Sequence, residues 1–449
     1  MKKTYLTTGP VFKSLLRFSI PLIITNVVQL LFHAADVAVL AFFTDDLAVA
    51  AVGACGSIIT LLVSLFTGFS TGSNVLVAKR VGAQNEDGIQ RAVGTSLTMG
   101  LLSGVILMAV AIPSAEKLLV MMNCQPEALE MATTYMRLYF VGMPVMMLYN
   151  FVSAIMRASG DSVRPMAYML LAGVCNIGLN VFFIAALSLT VEGVALATIL
   201  SKVLALTSAL IHLIRSKGVC RIIRKHLRIR KTELMEIVRV GIPTCMCSIF
   251  FYFANVIISS TVNRMGTDTM TANAVSGQFD GVIYTVGSAI AIATSAMVGQ
   301  NYGAKLYDRI RRIIKTSIIY VTTVSLALGV VFVLLAEQLL GLLTDSPAVI
   351  AIAKDRVTLL CLTYFVTSIM EVLAFSLRAL GRQKSTMVVG AICGLGVRSF
   401  WAWVIWPMHP TIAMLFSCYW ISAFVAIIIY SGVYRSTMRN YDLASQYGT

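Results

Sequence analysis

The run FSIPLIITNVVQLLFHAADVAVLAFF, residues 18–43, decides the fold. It is long enough to cross a bilayer, because ~20 apolar residues rising ~1.5 Å each span the hydrocarbon core. Its one formal charge is Asp36, seven residues from the far end. An ionisable group at that depth costs at least ~2.5 kcal/mol on insertion scales. Asp36 is therefore a functional-site candidate, and the rest of the chain is read around it.

Composition supports a membrane protein. The 449 residues are 58% hydrophobic and 12% charged, with a mean hydropathy of +0.84, whereas soluble domains carry about 25% charged residues. No cleaved signal peptide is expected, since the first apolar run is too long for one and no small-residue cleavage site follows it. The net charge of +15 invites a nucleic-acid partner, but basic residues between apolar spans report membrane orientation instead. The nine cysteines are scattered through apolar segments. Cys245 and Cys247 form a C-x-C without a CxxC pair or a His cluster, so neither a zinc site nor a disulfide framework is expected.

Twelve apolar segments follow one another: 18–43, 48–77, 92–113, 131–155, 165–187, 191–214, 237–263, 269–298, 314–336, 351–376, 386–407 and 411–434. With the N-terminus inside, 28 of the 35 Lys and Arg fall in stretches on the cytoplasmic side. That bias places both termini in the cytoplasm. The basic stretch RSKGVCRIIRKHLRIRK, residues 215–231, reads as a linker obeying the same rule, or as an amphipathic helix lying on anionic headgroups. The expected division is an N-terminal lobe over 1–214, a cytoplasmic linker over 215–236 and a C-terminal lobe over 237–449.

The lobes are repeats. VGAQNEDGIQRAVGTS from Val81 aligns with YGAKLYDRIRRIIKTS from Tyr302, and MRASGDSVRPM aligns with LRALGRQKSTM. Gly82 and Gly303, Pro126 and Pro347, and Arg157 and Arg378 share one offset of 221 residues, while Pro21 and Pro243 differ by 222. Each half has an even number of spans, so the halves point the same way across the membrane. Parallel repeats of this kind occur in secondary transporters, with the substrate path between them. An all-α membrane protein of two six-helix bundles is the expected fold.

Other chemistries are missing from the sequence. No G-x-x-x-x-G-K-[ST] phosphate loop occurs, and the four His residues are dispersed, so an enzyme is not expected and no cofactor is implied. The polar residues inside the spans are Gln29, Asp36, Asn150, Asn176, Asn180 and Thr198 in the first half, with Asp280, Glu371 and Arg398 in the second. Asp36, Asn180 and Thr198 each stand seven residues from the outer end of their segments, which puts them at one depth, roughly 10 Å down. Asn176 and Asn180 are one helical turn apart on one face. One carboxylate, two amide carbonyls and a hydroxyl suit a proton or a small hard cation such as sodium. Interhelical hydrogen-bond glue is the alternative for the neutral three. Glu371 and Arg398 are read as a buried ion pair or as a contact for charged substrate, and Asp280 as the second half's best cation holder.

The whole chain resembles the multidrug and toxic compound extrusion (MATE) family. The likeness rests on Pro21 and Asp36 in the first segment, VGAQ and VGQNYGA after the second and eighth, MRASGDSVRP and LRALGRQKST, NIGLNVFFI, and GVALAT. Membership implies export of organic cations and other xenobiotics in exchange for protons or sodium. It further implies a cation site at Asp36, Asn176, Asn180 and Thr198, and a cavity faced by Gln29, Phe32, Asn150 and Ser153. Asp280 stands where members often carry an acid in the eighth helix, and Glu371 lies in a helix that supplies another in some. The family usually has Asp where this chain has Asn180. That leaves one carboxylate in the group, weakens the case for sodium there, and favours a second-half route through Asp280 or Glu371. A monomer in the cell membrane is expected, acting on amphipathic cations. The alternative function is a flippase for a lipid-linked precursor, towards which Arg398 points and against which the span count leans.

Overall fold

The computed structural model describes residues 6–122, 124–216 and 218–447, and among these the regular structure is entirely helical. Among the described residues eleven single helices are long and apolar enough to cross a membrane, and a bent pair, taken as one span, makes a twelfth. The first six spans are α1 (Val11–Phe43), α2 (Asp46–Gly82), α3 (Glu86–Met121), α4 (Pro126–Val141 with Met143–Ala158), α5 (Val163–Ala186) and α6 (Val191–Arg215). The second six are α7 (Lys231–Asn263), α8 (Thr267–Gly303), α9 (Tyr307–Leu334), α10 (Pro347–Ala379), α11 (Gln383–Met408) and α12 (Ile412–Tyr441, its helix continuing to Tyr447). The 47° bend in α4 falls at Gly142, where Pro144 withholds an N–H and its ring opposes a straight helix.

Local chemistry sets several helix ends. Asp45 caps α2 by accepting from Ala48 N at 3.0 Å, and Asn85 caps α3 by accepting from Gly88 N at 2.8 Å. Each bond satisfies one of the donors that a helix start leaves unpaired. The turns after α4 and α10 place Gly160 at φ 93° and Gly381 at φ 86°, a backbone state that costs a residue with a Cβ. These two glycines are 221 residues apart. So are the left-handed Gln84 and Lys305, at φ 54° and 56°. The same offset relates two buried hydroxyl pairs, Ser73 to Ser96 at 2.6 Å and Thr294 to Ser317 at 2.9 Å. The sequence repeat is thus a repeat of backbone turns and of helix-to-helix polar contacts.

The chain divides into two compact units, one built on Ile20–Cys245 and one on Thr7–Ser19 with Met246 onward. The divisions fall inside α1 and α7, close to Pro21 and Pro243. The first unit has two apolar clusters. Leu40, Cys55, Leu107, Phe140 and Met147 belong to one; Val77, Ile89, Ile155, Met169 and Ile237 belong to the other. The second unit is filled by Phe279, Ile283, Val357 and Tyr364 in one cluster and by Ile258, Leu360, Leu415 and Phe416 in another.

The stretch 215–231 is not a long surface helix. Its only helical piece among the described residues is the short turn Arg224–His226, and it is tied to α3. Gln90 Nε2 donates to the Val219 carbonyl at 3.0 Å, and Arg230 N donates to Thr95 Oγ1 at 3.3 Å. A Cβ at Gly94 would lie 1.8 Å from the His226 carbonyl oxygen, so a glycine is needed for this close approach.

Close packing also joins α2 to the first part of α7. A Cβ at Gly72 would lie 2.4 Å from the Ile237 carbonyl oxygen, and neither helix backbone yields easily there. Gly72→Ala is expected to destabilise the protein by about 1–3 kcal/mol and lower its melting temperature in detergent. Gly53 in the same helix has nothing within 4 Å of an added Cβ, so Gly53→Ala is the control and leaves the melting temperature level or slightly higher. Equal melting temperatures for the two variants contradict the packing assignment.

Candidate functional site: a polar cavity in the first unit

Helical period delivers four polar stripes to one place. Gln29, Phe32 and Asp36 share a face of α1 through separations of three or four residues, as Ser201 and Lys202 share one with Thr198 on α6. Met169, Gly173, Asn176 and Asn180 do the same on α5, and Met146, Tyr149 and Asn150 on the second part of α4. Residues three and four apart share a helix face. The four faces surround a cavity of about 280 Å³, lined among others by Gln29, Asp36, Asn150, Asn176, Thr198 and Lys202. Phe32 closes one side, its ring lying where Gly173 offers no Cβ; an added one would sit 1.4 Å from Phe32 Cζ.

The polar centre is a short chain of hydrogen bonds. Asn180 Nδ2 donates to Asp36 Oδ1 at 2.5 Å, and its longer contact reaches Asn176 Oδ1 at 3.5 Å. Asn180 lies behind Asp36, fully buried at 0% exposure, so it holds the carboxylate without lining the cavity. Two oxygens here are left without a donor among the described residues, Asn180 Oδ1 and Thr198 Oγ1. Buried polar atoms in native structures nearly always have partners. Orphaned oxygens beside a carboxylate therefore fit a proton-bearing or cationic guest. Among the described residues no three His, Cys, Asp or Glu side chains gather as a transition-metal site would need.

Lys202 escaped the sequence reading. Its ammonium lines the same cavity as Asp36 and lies within electrostatic range of that carboxylate. Nζ contacts Met169 Sδ at 3.3 Å and stands 6.0 Å from the centre of the Tyr149 ring. The signal was present, since a lysine eleven residues into an apolar span and one turn beyond Thr198 obeys the rule that singled out Asp36. The expected cavity residue Ser153 is elsewhere. It is buried at 5% exposure, and its hydroxyl accepts from Arg157 Nη1 at 2.6 Å, one turn along the same helix.

The second unit pairs its charges differently from expectation. Asp280 is bound by Arg356, a second residue missed in the sequence, at 2.9 Å. Arg356 also donates to Ser276 Oγ at 3.0 Å and covers the Phe416 ring at 4.5 Å. Asp280, expected as the second half's cation holder, thus has a guanidinium as its immediate neighbour. Glu371 and Arg398 do not pair. Glu371 lies within electrostatic range of the Tyr284 hydroxyl and of Arg378. Arg398 donates to Ser422 Oγ at 3.2 Å and lies between the rings of Tyr419 and Phe251, at 4.4 and 5.4 Å. Aromatic faces took the place of the carboxylate as the arginine's partner.

A family model for MatE matches the chain twice, over residues 21–182 and 243–404. The chain belongs to the MatE family. The two matched blocks begin at the equivalent prolines Pro21 and Pro243. Among relatives, the probable multidrug resistance protein YoeA of Bacillus subtilis is 25% identical over 86% of this chain and 85% of its own. The multidrug export protein MepA of Staphylococcus aureus is 20% identical over 87% of this chain and 86% of its own. Two solved structures share the fold. One is an outward-facing multidrug resistance MATE family transporter of the MOP superfamily, with TM-score 0.90 and 23% identity. The other is a MATE protein in the straight conformation, with TM-score 0.91 and 22% identity. In each case 98% of this chain and 99% of the other are covered.

This MatE protein is a multi-pass membrane transporter, not an enzyme. Its Arg356–Asp280 pair gives a direct check on the second-unit assignment. Arg356→Met strands a buried carboxylate and is expected to cost about 3 kcal/mol, while the double variant with Asp280→Asn recovers most of that. Thermal unfolding of the purified variants measures both. Additive losses contradict the pairing.

Proposed function

We propose that the protein exports small amphipathic, mainly cationic molecules by alternating access, in exchange for a proton or sodium ion that binds at Asp36. The observation that carries this proposal is the Asp36–Asn180 hydrogen bond at 2.5 Å beside the orphaned oxygens of Asn180 and Thr198. A carboxylate supported from behind and open to a cavity in front is equipped to take up and release a cation. The names of the relatives, multidrug resistance and multidrug export proteins, support the substrate class.

Asn180 does structurally what a shared proton would do between two carboxylates, since its amide permanently supplies the hydrogen that Asp36 accepts. The site therefore changes by one charge when a cation arrives. Binding from outside drives transport only if the cation prefers one conformation over the other, so Asp36 must be held differently in the two. The proposal also places both termini in the cytoplasm, the protein in the cell membrane, and the working unit as a monomer; the distribution of Lys and Arg supports the first of these.

Replacing Asp36 by Asn is expected to abolish gradient-driven efflux of a cationic dye from vesicles, with the purified variant still eluting as a folded species. Undiminished efflux in that variant removes Asp36 from the coupling role.

A further inference from the structure

We propose that Lys202 is the resident cation of the Asp36 site and excludes sodium from it. The inference rests on Asp36 being the cation site, and adds which cation is admitted there.

Donors and acceptors around the cavity match in kind. A lysine ammonium carries three N–H donors and no acceptor. Among the described residues its only hydrogen-bond partner is the Met169 thioether at 3.3 Å, a weak acceptor. Thr198 Oγ1, on the cavity wall, and Asn180 Oδ1, behind Asp36, have no donor among the described residues. Asn180 is 0% exposed and Thr198 9%, so water in bulk does not serve them. Together with the Asp36 carboxylate, which lines the same cavity, they offer oxygen acceptors for the ammonium donors. Lys202 follows Thr198 by one turn on the same face of α6, and its flexible four-carbon stem lets the head move from Met169 towards the oxygens.

Charge gives the consequence. With Asp36 ionised and Lys202 protonated, the pair is neutral, and a sodium ion entering beside it meets one repulsion for each attraction. At an effective dielectric near 20, a like charge roughly 6 Å from a monovalent cation weakens its binding on the order of a hundredfold. Without the ammonium, the carboxylate, the two asparagine carbonyls and the Thr198 hydroxyl form an oxygen set suited to a hard cation. Lys202 is thereby a specificity-determining residue, which selects the coupling ion by occupying its place.

The test reads binding on the purified full-length protein. Melting temperature is compared in sodium chloride and in choline chloride of equal ionic strength for the wild type, Lys202→Met, Lys202→Arg and the double variant Lys202→Met with Asp36→Asn. The wild type and Lys202→Arg, which keep a fixed cation, are expected to show no sodium-specific shift. Lys202→Met is expected to melt a few degrees higher in sodium, as a ligand that binds only the folded state requires, and the double variant loses that gain. A sodium-specific shift in the wild type overturns the proposal, as does its absence in Lys202→Met that elutes as a folded species. Should Lys202→Met not fold, Lys202→Gln takes its place in the same comparison, and the wild-type arm stands on its own. Because no transport is measured, failure here is separable from failure of Asp36 to couple efflux.

Discussion

A carboxylate within the hydrocarbon thickness must be held by groups that can bear its charge, and most of the first unit's interior follows from that demand on Asp36. Asn180 meets the carboxylate from behind, Asn176 extends the contact, and Lys202 brings an opposite charge into the same cavity. Each of these groups is costly in an apolar helix by itself. Brought together they offset one another, and two oxygens of the group, Asn180 Oδ1 and Thr198 Oγ1, remain without a donor among the described residues. Even the placement of Phe32 over Gly173 belongs to this arrangement, since a bulkier residue at position 173 would push the ring into the space the polar groups share.

The two units repeat in backbone and differ in chemistry. Paired turns at Gly160 and Gly381 and paired hydroxyl contacts at Ser73–Ser96 and Thr294–Ser317 keep the offset of 221 residues. The charges do not keep it. The first unit has an acid that is hydrogen-bonded by an amide and shares its cavity with Lys202, whereas Asp280 in the second is in direct ion-pair contact with Arg356. Arg398 there is held by aromatic faces and a serine. Packing contacts are conserved between the halves because both bundles must close; the ionisable groups are free to diverge because each needs only its own local partners.

Much of the fold and of the first site was legible in the sequence because both obey simple periods. Span length and the Lys/Arg bias depend on bilayer thickness, and the common depth of Asp36, Asn180 and Thr198 depends only on helical rise, so counting from segment ends was enough. Lys202 and Arg356 carry the same signal as Asp36. Lys202 lies deeper than Asp36, Asn180 and Thr198, and Arg356 follows Lys354 and Asp355 in the first turns of the segment 351–376, where a run of charges marks the membrane edge more than its interior. The side-chain partners of Ser153, Glu371 and Arg398 were not legible. A serine one turn from an arginine on its own helix, or an arginine facing rings from two other helices, is decided by rotamer and helix rotation, which sequence spacing does not fix.

The central claim is that substrate moves outward only as a cation moves inward through the Asp36 site. Lumenal pH in vesicles carrying the purified protein, followed as substrate is added with and without sodium, tests it most directly. The account predicts a substrate-dependent proton movement that is the same in both conditions. Substrate movement with no accompanying proton movement in either condition contradicts it.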